Sequence, residues 1–330
     1  MAKLIPAIMN PMLVLFLCMA LGFLLHKIHI LPDSAGQVMA KLETYVFCPA
    51  LSFGTMATFF TPKTIKAHAT NLVIGILLVS LAVFLSLLLV RFFARKKSKD
   101  WGVYAYALAF ANGGYMGDPL VQMILGSSAL SYYKLFYLPI NSVIFTWGIS
   151  ILVPDNGKKT NPIKKILNVP TVAMLAGMAV GITGAVDYIP SFCMTAMNSL
   201  SSCMGPVAML LAGFTVASYP FGEILKNKKV YVVSLLRLII LPTLLITALL
   251  GIKTLGNLLF DLNINNNVLH LAFFAFATPL GMNTIVFPEA YGGDSKTGAS
   301  MALISHTLCV LSIPIMYAIL CGIFGGYQVL

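Results

Sequence analysis

An all-α integral membrane protein of ten transmembrane helices, folded as two inverted five-helix repeats, is the architecture that this sequence predicts. Of the 330 residues, 59% are hydrophobic and 9% are charged, against roughly 25% charged in an ordinary soluble domain, and the mean hydropathy is +0.91. Ten long apolar stretches are separated by short loops, each stretch close to the ~20 residues that cross a bilayer. Two stretches, one in each half, are interrupted by Gly, Pro and Asn clusters: ANGGYMGDP at 111–119 and ATPLGMNTIVFPEAYGGD at 277–294. Unwound backbone survives at that depth only where it is buried in protein or lines a cavity, and corresponding interruptions in the two halves mark the binding site of a secondary carrier.

The spans fall at 5–25, 36–58, 68–93, 102–125, 132–153, 166–185, 190–217, 230–250, 268–289 and 297–321. The first runs apolar to Leu25 with no small-residue cleavage site before a polar start, so it reads as a retained span. The second carries Lys41, Glu43 and Pro49, and the third is aliphatic up to Arg91. The fourth contains the first interruption, and the fifth ends at a basic cytoplasmic linker, 154–165. The seventh is rich in Ser and Met around Pro206, and the eighth holds Arg237 in mid-span. The ninth contains the second interruption, and the tenth carries His306.

Residues 1–153 and 166–330 read as the two repeats. Each opens on Asn and Pro, passes an ALG or AVG stretch and reaches a proline before its next span. Pro11 and Pro32 are 21 positions apart, Pro170 and Pro190 are 20; Pro32 to Pro49 is 17, Pro190 to Pro206 is 16. The interrupted span is fourth in each half. Five spans is an odd number, so the second half enters from the opposite face and the repeats are inverted.

The net charge is +11, and its distribution suits a lipid surface rather than nucleic acid. With the N-terminus outside, the cytoplasmic side collects Lys27, Arg91, Arg95, Lys96, Lys97, Lys99, Lys158, Lys159, Lys164, Lys165, Lys226, Lys228, Lys229 and Lys296, whereas Lys3, Lys63, Lys66, Lys134 and Lys253 lie outside. The positive-inside rule then places both termini on the periplasmic or extracellular face of a cell inner or plasma membrane. The six cysteines lack CxxC spacing and read as small buried hydrophobes. His26, His29 and His270 lie near span ends and read as interfacial, and the 17 methionines as flexible packing. No phosphate loop, dinucleotide fingerprint, HExxH or GxSxG occurs, so the chain is expected to be no enzyme and to hold neither cofactor nor metal.

The interruptions concentrate the candidate chemistry. Freed N–H groups and half-helix N-termini favour an anion. Gly113 allows close approach, while Pro119 and Pro279 lack a backbone donor. Asn112 and Asn283 offer amide donors to a carboxylate, with Thr278, Thr284 and Tyr115 beside them. Asp118 binds a cation, carries a proton or caps a half-helix, and the sequence leaves these open. Glu43 and His306 are candidates for ion or proton coupling. Lys41 snorkels or contributes charge, and Arg237 attracts an anion or pairs with a buried acid. Glu289 and Asp294 are expected to terminate the second half-helix.

TPLGMNTIVFPEAYGGD with GASMALISHTLCVLSIPIMYAIL (278–320), FANGGYMGDPLVQMILG (110–126), GPVAMLLAGF (205–214) and the early NP together resemble the auxin efflux carrier family. That family includes plant auxin exporters and bacterial permeases for small organic acids. The resemblance covers nearly the whole chain and, without a long central loop, is to the compact prokaryotic form. It implies crossed helices 4 and 9 and a substrate carboxylate held at Asn112, with Pro279 and Asn283 as counterparts. It also implies a scaffold of spans 1, 2, 6 and 7, a transport part of spans 3–5 and 8–10, a homodimer and elevator-type alternating access. Asp118 departs from the apolar residue of plant members, which points away from an auxin-like aromatic acid and toward a different ligand or ion coupling; the expected cargo is a small organic anion, a mono- or dicarboxylate such as malate, malonate or lactate. Proton or sodium are the candidate coupling ions. An auxin-like aromatic acid carrier, a sodium-coupled organic anion symporter and a non-transporting ligand sensor are the alternatives.

Overall fold

The computed structural model describes residues 4–328 apart from positions 68, 97, 154–166, 221 and 223–225. The linker assigned to 154–165, with its four lysines, therefore lies outside the described residues, as do Lys3 and Lys97. The described residues fold into helices without a named strand. α1 is Leu4–Lys27. α2, residues 35–59, joins Ala35–Leu42 to Cys48–Phe59 through a π-helical turn at Glu43–Phe47. α3 is Ala69–Leu89. α4 is interrupted: α4a is Trp101–Ala109, and α4b, residues 113–125, starts with a π-helical turn at Gly113–Gly117 and continues as Asp118–Leu125. α5 runs over 127–152, α6 is Val169–Thr183 and α7 is Ser191–Ala217. α8 covers 228–260. α9 is interrupted between α9a, Asn267–Phe276, and α9b, Asn283–Tyr291. α10 is Ser295–Phe324.

Five of these helices are long and apolar enough to cross a membrane, and shorter apolar helices accompany them. The apolar surface is inside-out by soluble standards: Leu17 and Phe84 are each 62% exposed, as suits side chains that meet lipid. Buried tyrosines and phenylalanines, among them Tyr104, Tyr106, Tyr133, Tyr137 and Phe274, fill the interior around α4, α5 and α9.

Local chemistry explains several boundaries. Asn168 caps α6 by accepting from the Thr171 N–H at 3.0 Å, with Pro170 in the first turn, where a missing donor is harmless. Asn10 and Pro11 instead lie inside α1, so the Asn–Pro landmarks that open the two halves play different roles. Asp294 does not terminate α9b as expected. It accepts from the Thr297 N–H at 3.0 Å and caps α10, while Gly292, at φ +76°, ends α9b. α8 extends ten residues past its expected end because the next loop satisfies its polar side chains: Lys253 donates to Asn266 Oδ1 at 2.6 Å, and Asn257 donates to the Ile264 carbonyl at 3.0 Å. His270 is fully buried against the Tyr317 hydroxyl at 3.1 Å rather than interfacial. Cys203 is exposed rather than a buried hydrophobe, and all six cysteines are unpaired.

Two helix pairs form a reciprocal frame: α1 lies along α7, and α6 along α2. Their close approach is made by small residues, as in membrane helix packing generally. A Cβ at Gly22 would strike the Leu210 carbonyl, and one at Gly213 the Met19 carbonyl. Gly213→Leu is therefore expected to cost about 1–3 kcal/mol by overpacking and to lower the thermal midpoint in detergent. Gly54→Leu, where an added Cβ meets nothing within 4 Å, should leave that midpoint unchanged.

Candidate functional site: the crossing of two interrupted helices

Both interruptions are shorter than the sequence suggested. The non-helical backbone spans only 110–112 in α4 and 277–282 in α9, since helix resumes at Gly113 and at Asn283 and continues through Pro288. The two stretches meet as an antiparallel bridge between Ala111 and Leu280. The Asn112 N–H donates to the Pro279 carbonyl at 2.7 Å, and the Gly281 N–H to the Phe110 carbonyl at 3.4 Å. Each gap thus supplies partners that the other has lost, which is what makes unwound backbone tolerable away from water.

Arg237 completes the arrangement from α8. Its fully buried guanidinium donates to the Leu108 carbonyl at 3.2 Å and to the Phe276 carbonyl. These carbonyls end α4a and α9a, where the helix dipoles place partial negative charge. Among the described residues Arg237 forms no ion pair with an acid, and its Nε is buried without a partner. Arg237 is occupied in capping two half-helices at once.

The side chains predicted to bind substrate gather at this junction. Asn283 donates from Nδ2 to the Tyr106 hydroxyl at 2.8 Å and accepts from the Tyr115 hydroxyl at 3.4 Å. The Asn112 amide lies 3.2 Å from His306 Nε2. His306 Nδ1 stands 2.9 Å from the Ala302 carbonyl, which can only accept. The Nδ1 proton is thereby fixed in the neutral ring, so Nε2 accepts from Asn112 Nδ2. His306 thus orients Asn112, and Asn112 Oδ1 is left buried without a partner. Thr278 Oγ1 is in the same condition, whereas the Thr284 hydroxyl donates to the Gly281 carbonyl at 3.0 Å and serves the local turn. Gly113 has a steric reason: an added Cβ would run into the Tyr137 ring, whose hydroxyl faces the Gly113 and Gly114 backbone.

Tyr106, Asn112, Tyr115, Tyr137, Asn141 and Asn283 line a small pocket beside the crossing. Through Gly114 and Tyr115 it adjoins a cleft of about 510 Å³ that reaches Asp118, Pro119 and Lys134. There Lys134 forms an ion pair with Asp118 Oδ2. Lys134 belongs to α5, within the span expected at 132–153, and is half-buried. Lys134, Tyr106 and Tyr137 escaped the sequence reading, although Tyr133 and Tyr137 stand at the i, i+4 spacing of a single helix face.

Glu43 and Lys41 do not reach the pocket. Lys41 is exposed on α2. Glu43 is fully buried on the π-helical turn, both carboxylate oxygens lack a hydrogen-bond partner, and the Ala208 backbone is the polar group beside them. Among the described residues no cluster of three or more His, Cys, Asp or Glu side chains is placed to hold a metal ion.

Residues 7–317 match the model of a family described as membrane transport protein. The chain is 22% identical over 312 residues to an uncharacterized transporter of Methanocaldococcus jannaschii, covering 92% of this chain and 96% of that one. It is 24% identical over 314 residues to a Rhizobium meliloti protein named "Putative malonate transporter", covering 92% of each.

Replacing Arg237 by Met, close in size but without donors, is expected to strand two buried carbonyls at about 1–3 kcal/mol each. The thermal midpoint in detergent should fall well below that of the wild type, and an unchanged midpoint would remove Arg237 from its capping role.

Proposed function

The chain belongs to the membrane transport protein family, and we propose that it carries a small organic anion across the membrane at the crossing of α4 and α9. It is a multi-pass membrane transporter rather than an enzyme. The observation that carries the reading is the meeting of two unwound segments, in which backbone and amide side chains converge on a pocket that adjoins a cleft large enough for a small acid. The name of the Rhizobium meliloti relative supports a carboxylate more than any other cargo.

In this reading the substrate enters through the cleft and its far end reaches Asn112, Tyr115 and Asn283, with Gly113, Pro119, Thr278, Pro279 and Thr284 shaping the walls. The unpartnered Oδ1 of Asn112 favours a cargo that also brings a donor, as the hydroxyl of malate or lactate does. Reciprocal packing supports the inverted repeat. The first helix of each half lies on the second of the other, and the third packs with the fifth within each half. α1, α2, α6 and α7 then form the scaffold, and α3–α5 with α8–α10 the moving part, whose elevator-like slide alternates access to the crossing. A homodimer holds the scaffold still, and both termini face outside. A proton or sodium gradient couples to the movement, with Glu43 as one acceptor.

Counterflow in proteoliposomes tests the carrier reading. Vesicles loaded with unlabelled malonate, malate or lactate should accumulate the labelled acid transiently, and failure with all three, despite binding, would leave a sensor. Asn112→Ala should raise the apparent Kd about tenfold or more, the worth of one or two hydrogen bonds. Its thermal midpoint should fall only by the lost bond to His306 Nε2, and unchanged affinity would take Asn112 out of the ligand site.

A further inference from the structure

The cleft that adjoins the crossing contains one charge of each sign. Among the described residues that line it, Lys134 and Asp118 are the charged ones, and they already hold each other. The pair is only half satisfied: Asp118 Oδ2 takes the ammonium, while Asp118 Oδ1 is buried with no partner. The two side chains are 16% and 14% exposed, Asp118 and Lys134 in that order, so the pair is neither sealed in the core nor open to water. The remaining lining is largely apolar or neutral, with Leu15 from α1, Met204 and Pro206 from α7, and Tyr115 from the crossing itself. A carboxylate that enters this cleft meets a single fixed cation, and that cation is engaged by a carboxylate of the protein.

From this arrangement, and resting on the carrier reading above, we infer that Lys134 receives the substrate's carboxylate and that Asp118, displaced from Lys134, takes up one proton. The exchange balances without a further ion. Before it, the ammonium of Lys134 and the carboxylate of Asp118 sum to zero. After it, the ammonium pairs with one carboxylate of the substrate and Asp118 is the neutral acid, so the charge at the pair is again zero. Binding without the proton leaves two carboxylates facing one ammonium, and an uncompensated charge in a poorly solvated site is costly. The proton reaches the position that lost its partner, and no covalent bond other than the O–H of Asp118 forms.

The groups around Asp118 do not offer another route to neutrality. Tyr133 and Tyr137 from α5 are its titratable neighbours, and the Tyr133 hydroxyl is committed to the Gly113 carbonyl at 3.1 Å. Tyr115 shares the cleft and donates to Asn283. α1 contributes Val14 and Leu15. On α9a, His270 is bound to Tyr317. Arg237 is occupied by two carbonyls, and, among the described residues, no second cation lines the cleft.

The test uses the purified full chain in detergent, titrated calorimetrically with acetate, lactate, malonate and malate in turn. The working range is about pH 6.5 to 8.5, where these acids are ionised. For the acid that binds wild type best, Kd should rise about tenfold per pH unit, because substrate and proton bind together and each favours the other. Titrations in buffers of different ionisation heat should show one proton taken up per anion bound. Asp118→Asn removes the competitor and the proton acceptor, so binding should tighten at the alkaline end, lose its pH dependence and show no proton uptake. Lys134→Gln should weaken binding about 100-fold or more. Because Lys134→Gln strands a buried carboxylate, the double variant Asp118→Asn with Lys134→Gln, a neutral amide pair, serves as the folded control: it should keep its thermal midpoint and still not bind. Proton uptake that persists in Asp118→Asn, wild-type binding that is indifferent to pH or requires sodium, or wild-type-like binding by the double variant would each overturn the inference. Counterflow failure by wild type with normal proton-linked binding would instead sink the carrier reading and leave this exchange standing.

Discussion

A backbone N–H or C=O without a partner in the interior of a bilayer costs several kcal/mol, and this chain exposes such groups twice. The interruptions of α4 and α9 are stable together because each completes the other: Asn112 donates to Pro279, Gly281 donates to Phe110, and Arg237 takes up the terminal carbonyls that the bridge leaves behind. Remove either stretch and the other has no counterpart at that depth. The tyrosines of α5, the placement of Asn112 and Asn283 and the adjoining pocket all follow from where these two short segments touch.

The buried charges divide by what holds them. Arg237 holds two backbone carbonyls through its terminal nitrogens, with Nε unpartnered, and so ties the ends of α4a and α9a together. The Lys134–Asp118 pair lies in an open cleft with one carboxylate oxygen unpartnered, so its bond can be exchanged. Glu43 has no hydrogen-bond partner for either oxygen and sits on a π-helical turn, a distortion that recurs at functional positions in helices. His306 stands apart from these, since its ring holds the Asn112 amide and thereby decides which atom of that amide is free.

The frame around the crossing follows different physics. Lipid is as apolar as the helices, so burial gives no drive for α1 to seek α7 or α6 to seek α2, and contact rests on close fit. Gly22 and Gly213 let two backbones approach where any side chain would collide.

The class of the protein, its helices and the place of its interruptions were legible in the sequence, because lipid imposes length, apolarity and backbone satisfaction on any spanning segment taken alone. Asn112, Tyr115 and Asn283 could be chosen for the same reason: a polar side chain inside a broken apolar run is costly in lipid unless it serves the break or a ligand. The partners could not be chosen. Arg237 was as consistent with an anion as with an acid until α8 brought it against Leu108 and Phe276, residues far from it in the chain. Lys134 looked like one more positive charge near a loop until α5 packed it against Asp118, and His270 looked interfacial until Tyr317 closed over it. Periodicity and composition are properties of a segment and survive in one dimension, whereas the partner of a charge or an amide is set by which segments pack together, and only the tertiary structure decides that.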